Sequence, residues 1–441
     1  MTSSEFFDLF FSNLHVFIPS ILLTCFALYF TVRLKALAGY LDPIHFYWTF
    51  TFGSAYGVVI GLYFLGYVSD LLFWFVFSCA FLFVVSFVLF SRFSSYGIRR
   101  LIVALTVPRG RGRYEFYLIL FLYLCLLLVI LTFVGAGLFA ESNRFEQNRG
   151  FGLYVRIADA FRLFIFAYLS ILLVRGWRLN GVSVRNALLL FFLASLIFVS
   201  SIVNGSKFAF LEALYACFVA ISIYFSKPKF KVFYFAVVSL AAIFFALLVL
   251  MFNLRSNNVD TEADAMYMTG SPVVVERLVF RIIGNADKYY LGLPNDVVDK
   301  LYTDNALIRF VSPIVGVTRL SGILGYPVND FNVGRQILLY YNPGREIAGG
   351  PTSHFDLFAY KYFGIEFAFV WVIFTAFLLA IINSLGRNAQ QNIFYCALVA
   401  TLWLRTLPIL LEPPIGFAYM LDVIFLFFVI KLIGMLIPRK E

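Results

Sequence analysis

Hydrophobic residues fill most of this chain in long runs, which one extended polar segment interrupts. A helix that crosses a bilayer needs about 20 mostly apolar residues. Runs of that length recur from Leu14 to Leu254 and again from Phe363 to Ile437, whereas Arg255 to Lys361 is rich in Arg, Asp, Gly and Pro. The pattern predicts an N-terminal helical bundle (1–254), a large polar loop (255–361) and a C-terminal bundle (362–441).

The apolar runs predict about eleven membrane-spanning helices, since backbone groups in lipid must be satisfied within the segment and the short alternating strands of a β-barrel are not seen. With 62% hydrophobic and 13% charged residues, the chain is excluded from the soluble globular class. We expect an all-α polytopic integral membrane protein with spans at 14–32, 46–66, 71–90, 116–139, 158–174, 187–204, 208–225, 232–254, 363–385, 394–411 and 416–436.

Cations predict the orientation of these spans. Arg and Lys cluster after each odd-numbered span, and cytoplasmic loops carry an excess of these residues. The basic side is therefore predicted to be cytoplasmic, with the C-terminus there and the N-terminus and the 255–361 loop in the periplasm. The net charge of +10 is then mostly a topology signal, which argues against nucleic acid as a partner.

Cysteine and histidine do not form a recognisable metal or disulfide pattern. All five cysteines lie in predicted spans, and the three histidines, at positions 15, 45 and 354, are too scattered for a zinc motif. We expect neither a metal nor another cofactor.

Arginine outnumbers lysine in the polar loop by seven to three, and eleven acids make the loop nearly neutral. A guanidinium group binds phosphate or carboxylate through two parallel hydrogen bonds, although pairing with loop acids is an alternative use. Helical spacing places Arg277, Arg281 and Lys288 within about 40° of one another. Such a stripe would accommodate an anion, a diphosphate being the natural candidate. A helix that ends at Gly284 would remove Lys288 from it.

A second segment, Gly349-Gly350-Pro351-Thr352-Ser353-His354-Phe355-Asp356, precedes the ninth span. Ser353 and Asp356 resemble a capping box, which would place His354 at the positive end of a helix on the outer membrane face. An imidazole there has a lowered pKa and suits the role of a base. The alternative is an ordinary helix cap with an exposed histidine.

Charged residues inside or beside predicted spans form a third set. Asp159 and Arg162 are three residues apart and can pair, while Arg405 and Glu412 are seven apart and nearly share a face. Arg162, Lys207 and Arg405 all lie toward the loop side of the membrane. Because charged side chains in lipid usually face an interior cavity, these residues predict an anion-accepting cavity open to that side.

The chain resembles the Wzy-type O-antigen and polysaccharide repeat-unit polymerases, which have many helices, one large external loop before the last spans and scattered arginines. The short segments that carry the resemblance are Asn204-Gly205-Ser206-Lys207, Arg277 to Asp287, Gly349 to His354 continuing into Tyr362-Phe363-Gly364, and Arg405 in a late helix. Lys207 stands where the family more often has arginine, and lysine lacks the bidentate geometry.

The resemblance implies a glycosyltransferase with a GT-C-like helical core in the bacterial inner membrane. It would transfer a glycan from undecaprenyl diphosphate to the terminal sugar of a lipid-linked repeat unit, among membrane lipids and with a chain-length regulator and a flippase as candidate partners. The residues expected to bind the diphosphate are Lys207, Arg277, Arg281 and Arg405. His354 is the expected base and Asp356 the alternative, with supporting roles for Lys288, Arg162, Arg319 and Glu412.

Three other functions stay open at this point. An O-antigen ligase uses the same donor and a similar plan but transfers the glycan to a lipid A core. A polyprenyl-phosphate-sugar transferase would carry an acidic pair in its first external loop, where this chain has only Asp70. A lipid-linked oligosaccharide flippase would show two repeated halves, and we detect no internal repeat.

Overall fold

The computed structural model of the protein describes residues 1–93, 96–110, 112–137, 150–205, 208–226, 236–251 (except 238, 242, 245 and 249), 266–268, 270–344, 349–387, 389 and 392–436. Every regular element within these ranges is a helix, and eight of the helices are long and apolar enough to cross a membrane. The expectation of an all-α polytopic membrane protein is confirmed at this level.

Helices of the N-terminal half run in sequence order as α1 to α9. Their bounds are Ser3–Ser12, Leu14–Val32, Gly53–Phe64, Asp70–Phe90, Tyr96–Thr106, Arg113–Phe133, Gly152–Asn180, Val184–Asn204 and Ala209–Tyr224. A short apolar helix, Ser239–Leu248, follows α9, and the later helices are labelled α10 to α17. Their bounds are Val273–Ile283, Asp287–Gly292, Ala306–Val315, Val317–Leu324, Val333–Tyr341, Phe355–Arg387, Ile393–Thr406 and Pro413–Leu436.

Eight of the predicted spans coincide with the eight long apolar helices. The predicted span at 46–66 is a π-helical stretch, His45–Phe52, that continues directly into α3. The span at 208–225 corresponds to α9, which is shorter, with 16 residues. The predicted span at 232–254 lies partly outside the described residues, so its full extent stays a prediction.

Three glycines on one face of α3 bring this helix unusually close to α2. A Cβ atom at Gly53, Gly57 or Gly61 would lie 2.6, 2.4 or 2.4 Å from an atom of α2. Small residues at intervals of four allow such backbone approach between membrane helices, where packing drives association. Tyr56, also on α3, is 1% exposed and contributes its hydroxyl to the bundle interior.

Helix α15 begins at Phe355, within the predicted loop, rather than at residue 363. Gly364 interrupts it with φ 67° and ψ 173°, a conformation that essentially only glycine adopts. The turn from Ser353 to Ala359 is buried, so the end of the predicted loop enters the bundle instead of lying over it. This is a correction to the predicted boundary, and it brings His354 and Asp356 inside.

The polar loop forms short helices that pack on one end of the bundle. Asp296 accepts a hydrogen bond from Ser69 Oγ at 2.9 Å, and Asp299 accepts one from Tyr360 at 2.7 Å. The Tyr290 ring stacks on Phe6 of α1 with centroids 3.9 Å apart. These contacts tie the loop to α1, to the start of α4 and to the start of α15.

Gly205 ends α8 in the left-handed conformation, with φ 64° and ψ 2°. A Cβ here would lie 2.2 Å from the backbone of Gly137. We expect Gly205→Ala to lower the free energy of unfolding by several kcal/mol, because overpacking adds about 1–3 kcal/mol to the backbone penalty of about 1–2 kcal/mol. Gly325→Ala is the matched control, since Gly325 has a similar conformation with open space around it. Thermal unfolding in detergent would compare the two, and equal losses would contradict the close contact.

Candidate functional site

Three helices, α7, α9 and α16, place four charged side chains together at the loop end of the bundle. Arg162 from the first half of α7 donates to Glu212 of α9 at 2.7 Å and lies 3.2 Å from Asp159. Arg405, near the end of α16, lies 3.9 Å from the other oxygen of Asp159. The predicted Asp159–Arg162 pair is therefore confirmed. We call Arg162, Arg405, Asp159 and Glu212 the guanidinium cluster.

Both guanidinium groups of this cluster are deeply buried yet incompletely hydrogen-bonded. Arg162 and Arg405 are 2% and 3% exposed. Among the described residues, Arg162 Nε and Nη1 and Arg405 Nε and Nη2 have no hydrogen-bond partner. Leaving a buried donor unsatisfied costs about 1–3 kcal/mol, and more for a charged group. Such donors in a folded protein point to an absent acceptor.

A small cavity of about 30 Å³, room for about one water molecule, lies beside Arg162 between α6, α7 and α8. One part of its lining is apolar, from Leu127, Ile130, Val155, Ala158 and Val203, and the other is polar, from Tyr123, Asp159, Arg162, Ser200 and Asn204. Asn204 donates to Asp159 at 3.0 Å. The lining therefore places a polar side with a buried guanidinium group opposite an apolar side.

Arg156, on the same helix as Arg162, is by contrast fully engaged. Its Nε and Nη2 donate to Asp422 of α17 at 2.6–2.9 Å, and its Nη1 donates to the Pro313 carbonyl of α12. The Tyr419 ring lies between this group and Arg405, with centroid distances of 5.9 and 3.7 Å. Arg156 thus holds the loop onto the bundle, whereas Arg162 keeps donors available.

A second buried cluster surrounds His354, and we call its five residues the buried relay. Lys288 Nζ lies 3.0 Å from His354 Nε2, and Tyr289 Oη lies 3.0 Å from His354 Nδ1. Asp356 Oδ2 accepts from Tyr289 at 2.7 Å and from Tyr56 at 3.0 Å. One assignment satisfies every contact: Lys288 donates to a neutral imidazole, which donates through Nδ1–H to Tyr289, which donates to Asp356.

The relay is more deeply buried than predicted, and burial sets the protonation of its histidine. His354 is fully buried, which excludes the alternative of an ordinary helix cap with an exposed histidine. Desolvation, helped by the charge of Lys288, holds the pKa of His354 well below its ordinary value, which favours the neutral form required by the donor assignment. Desolvation also raises the pKa of Tyr289 well above its ordinary value, so Tyr289 keeps its proton.

The backbone at His354 is held in a strained conformation by residues around it. Its φ is +52°, which is uncommon for a residue other than glycine. Its N–H donates to the Leu411 carbonyl at 2.8 Å, and the preceding residue, Ser353, donates through N–H and Oγ to Glu412 at 2.8 and 3.1 Å. Asn332 also donates to Glu412, at 2.7 Å. In this backbone conformation the imidazole lies inside the bundle, beside Lys288.

Two sequence expectations about these residues are wrong. Ser353 donates to Glu412 and Asp356 accepts from two tyrosines and from its neighbour's N–H at Leu357, so they do not form a capping box. Arg405 and Glu412 do not share a helical face, because α16 ends at Thr406 and a 3₁₀ turn follows. Burial raises the pKa of Glu412. Its carboxylate accepts hydrogen bonds from the loop residues Ser353 and Asn332.

The other predicted loop arginines, Arg277, Arg281 and Arg319, belong to neither cluster. Helix α10 ends at Ile283, so Gly284 does remove Lys288 from the stripe of Arg277 and Arg281. Both arginines are exposed and neither lines the cavity. Arg319 is exposed on α13. Lys207 lies outside the described residues, and its role stays a prediction.

Sequence reasoning assigned no role to Tyr56, which belongs to the buried relay, or to Arg156, which lies beside the guanidinium cluster. Tyr56 lies within a predicted span, and its position between Gly53 and Gly57 is a signal that a polar side chain there is packed inside a bundle. Arg156 precedes Arg162 by six residues, and its pairing with Asp422 depends on the tertiary contact of α7 with α17. Among the described residues no group of three or more His, Cys, Asp or Glu side chains is arranged to hold a metal ion.

Comparisons of the chain with protein-family models, with curated proteins and with solved structures give no match. Function is therefore argued from the guanidinium cluster, its cavity and the buried relay.

Proposed function

We propose that this chain is a membrane glycosyltransferase that polymerises undecaprenyl-diphosphate-linked oligosaccharide repeat units into O-antigen or a related surface polysaccharide. In this proposal about eleven spans, built around a GT-C-like core, cross the bacterial inner membrane, with the loop end of the bundle facing the periplasm. The observation that carries the proposal is the pair of buried, incompletely hydrogen-bonded guanidinium groups of Arg162 and Arg405, the former beside an amphipathic cavity.

The reaction requires an anion site of this kind. The acceptor hydroxyl oxygen forms a bond to the anomeric carbon of the donor glycan, while the bond from that carbon to the diphosphate oxygen breaks. The diphosphate leaves with the bonding electrons, so negative charge develops on it in the transition state. Preorganised donors in a low-dielectric site stabilise such charge strongly. Four unpartnered guanidinium nitrogens supply those donors, and Lys207 is expected to join them.

The proton of the acceptor hydroxyl needs a base, and His354 with Asp356 as the alternative stays the predicted assignment. In the described conformation both imidazole nitrogens are within hydrogen-bonding distance of relay partners, and both residues are fully buried. Direct proton transfer from an acceptor therefore requires the turn at Ser353 to open. If the turn stays closed, the relay only holds the turn in place, and a residue other than His354 or Asp356 acts as the base.

Glycan laddering in a deletion strain tests the proposed function. We expect the deletion to leave glycan of a single repeat unit on its carrier, and the wild-type gene to restore a ladder of linear polymer. The control is an expression check of the complementing protein in the membrane fraction. Full-length polymer stranded on the carrier in the deletion strain would contradict the polymerase and indicate the ligase. Unchanged laddering would contradict both.

A further inference from the structure

The guanidinium cluster has equal numbers of positive and negative groups, but several of its hydrogen-bond donors have no acceptor among the described residues. Two guanidinium groups face two carboxylates, Asp159 and Glu212. Glu212 makes a short contact to Arg162, at 2.7 Å, whereas Asp159 lies 3.2 Å from Arg162 and 3.9 Å from Arg405. A separation of 3.9 Å is too long for a hydrogen bond. Asp159 therefore helps to neutralise both arginines, while Nε and Nη1 of Arg162 and Nε and Nη2 of Arg405 are left without an acceptor among the described residues.

Asp159 is also the member of the cluster with most access to the cavity. Its side chain is 20% exposed, against 17% for Glu212, 3% for Arg162 and 4% for Arg405, and unlike Glu212 it lines the cavity, together with Asn204. When it turns away, Asp159 gives up the hydrogen bond from Asn204 at 3.0 Å and the 3.2 Å ion pair with Arg162, and a ligand must replace these contacts. A phosphoryl group offers more acceptor oxygens and more negative charge than one carboxylate, and so matches the four free donors better.

We infer that Asp159 is an internal counter-ion that occupies the diphosphate position in the empty site and is displaced when the lipid-linked diphosphate binds. This inference rests on the proposed function. The carboxylate keeps two buried guanidinium groups neutralised between turnovers, which avoids the cost of uncompensated buried charge. It also competes with the substrate, and repulsion from it helps to expel the diphosphate product. Asp159 is thus a positioning and release residue rather than a catalytic one.

Substitution of Asp159 is expected to strengthen diphosphate binding, whereas substitution of an ordinary binding residue weakens it. Asp159→Asn retains the shape of the side chain and removes the competing charge, so we expect the protein to bind diphosphate at least about tenfold more tightly, given the strength of close charge pairs at a protein's effective dielectric. Turnover should show a lower KM together with a lower kcat, because product release is slowed. A merely structural role would not lower KM.

The experiment measures the Kd of farnesyl diphosphate for the purified full-length protein in detergent, in wild type, Asp159→Asn and Asp422→Asn. Asp422 is the matched control, because it undergoes the same chemical change at the same end of the bundle but pairs with Arg156 outside the cavity. Tighter binding in Asp159→Asn alone supports the inference. If Asp159→Asn does not fold, Asp159→Ser removes the same charge and takes its place.

Three outcomes would overturn the inference. Equal or weaker binding by Asp159→Asn, with a wild type that binds, contradicts the counter-ion role and leaves the proposed function standing. Equal tightening in Asp422→Asn shows a general charge effect instead of displacement. Absence of binding in all three proteins removes the diphosphate site, and with it the observation that carries the proposed function.

Discussion

We expect the replacement of Arg162 by lysine to lower the proposed glycan polymerisation by at least about a hundredfold, and Arg405→Lys to have an effect of the same order. Removing one preorganised donor to a developing oxyanion typically costs about 10²–10³ in rate. Lysine keeps the positive charge, but it is a point charge on a flexible stem and lacks the planar set of five donors. In Arg162, Nη2 is already engaged by Glu212, so the donors that lysine cannot reproduce are those left for the substrate.

Arg156→Lys is the matched control for these substitutions. Arg156 lies six residues from Arg162 on α7, but its nitrogens are occupied by Asp422 and the Pro313 carbonyl. We expect laddering in Arg156→Lys to stay within about tenfold of wild type once membrane expression is matched, since Coulomb attraction to Asp422 survives the exchange. Near-normal ladders in expressed Arg162→Lys and Arg405→Lys would refute the assignment of the diphosphate to this cluster.

The sequence predicts the helical plan of this protein better than it predicts the site. Helices that span a bilayer are fixed by local composition, so eight predicted spans coincide with long apolar helices. The joining of Arg162 with Arg405 was also predictable, because charged side chains in lipid collect in a shared interior. The same rule applies to the carboxylates that meet them, Asp159 and Glu212.

The arrangement around His354 could not be predicted from local patterns. A capping box is a contact of neighbours along the chain, whereas Ser353 binds Glu412, 59 residues away, and Asp356 accepts from Tyr56, 300 residues away. Both contacts depend on the entry of the turn into the bundle, which the break at Gly364 permits. The regular spacing of Arg277, Arg281 and Lys288 was misleading for a related reason, because it assumed one helix across Gly284.

The two buried clusters have opposite hydrogen-bond character, and this difference separates their roles. In the relay, Lys288 Nζ has three acceptors at 2.5–3.1 Å, from Asn285, Asp287 and His354. No donor of Lys288 is left for a ligand, so the predicted supporting role in anion binding does not fit this conformation. The guanidinium cluster keeps free donors. A buried network with all its hydrogen bonds made rigidifies a fold. The guanidinium cluster has unpartnered donors beside a cavity, as expected of a ligand-binding site.

Breaking the relay at either charged end destabilises the protein by about 3–5 kcal/mol, the usual cost of removing one partner from a buried charged network. Lys288→Met removes the donor to His354, and Asp356→Asn removes the charge at the other end, with Tyr289 between them. We expect the double variant to lose at least about 1–2 kcal/mol less than the sum of the single losses, because coupled members of one network are not additive.

Equilibrium unfolding of the four proteins in the same detergent would close this double-mutant cycle. Lys300→Met is the control, since Lys300 is exposed on the same loop and, within the described part of the chain, donates to the Asn295 carbonyl; its cost should lie within about 0.5 kcal/mol. Additive losses at positions 288 and 356 would show that the two charges act independently. The relay would then be two unrelated hydrogen-bonded groups, and its proposed role in holding the turn at Ser353 and His354 would fail.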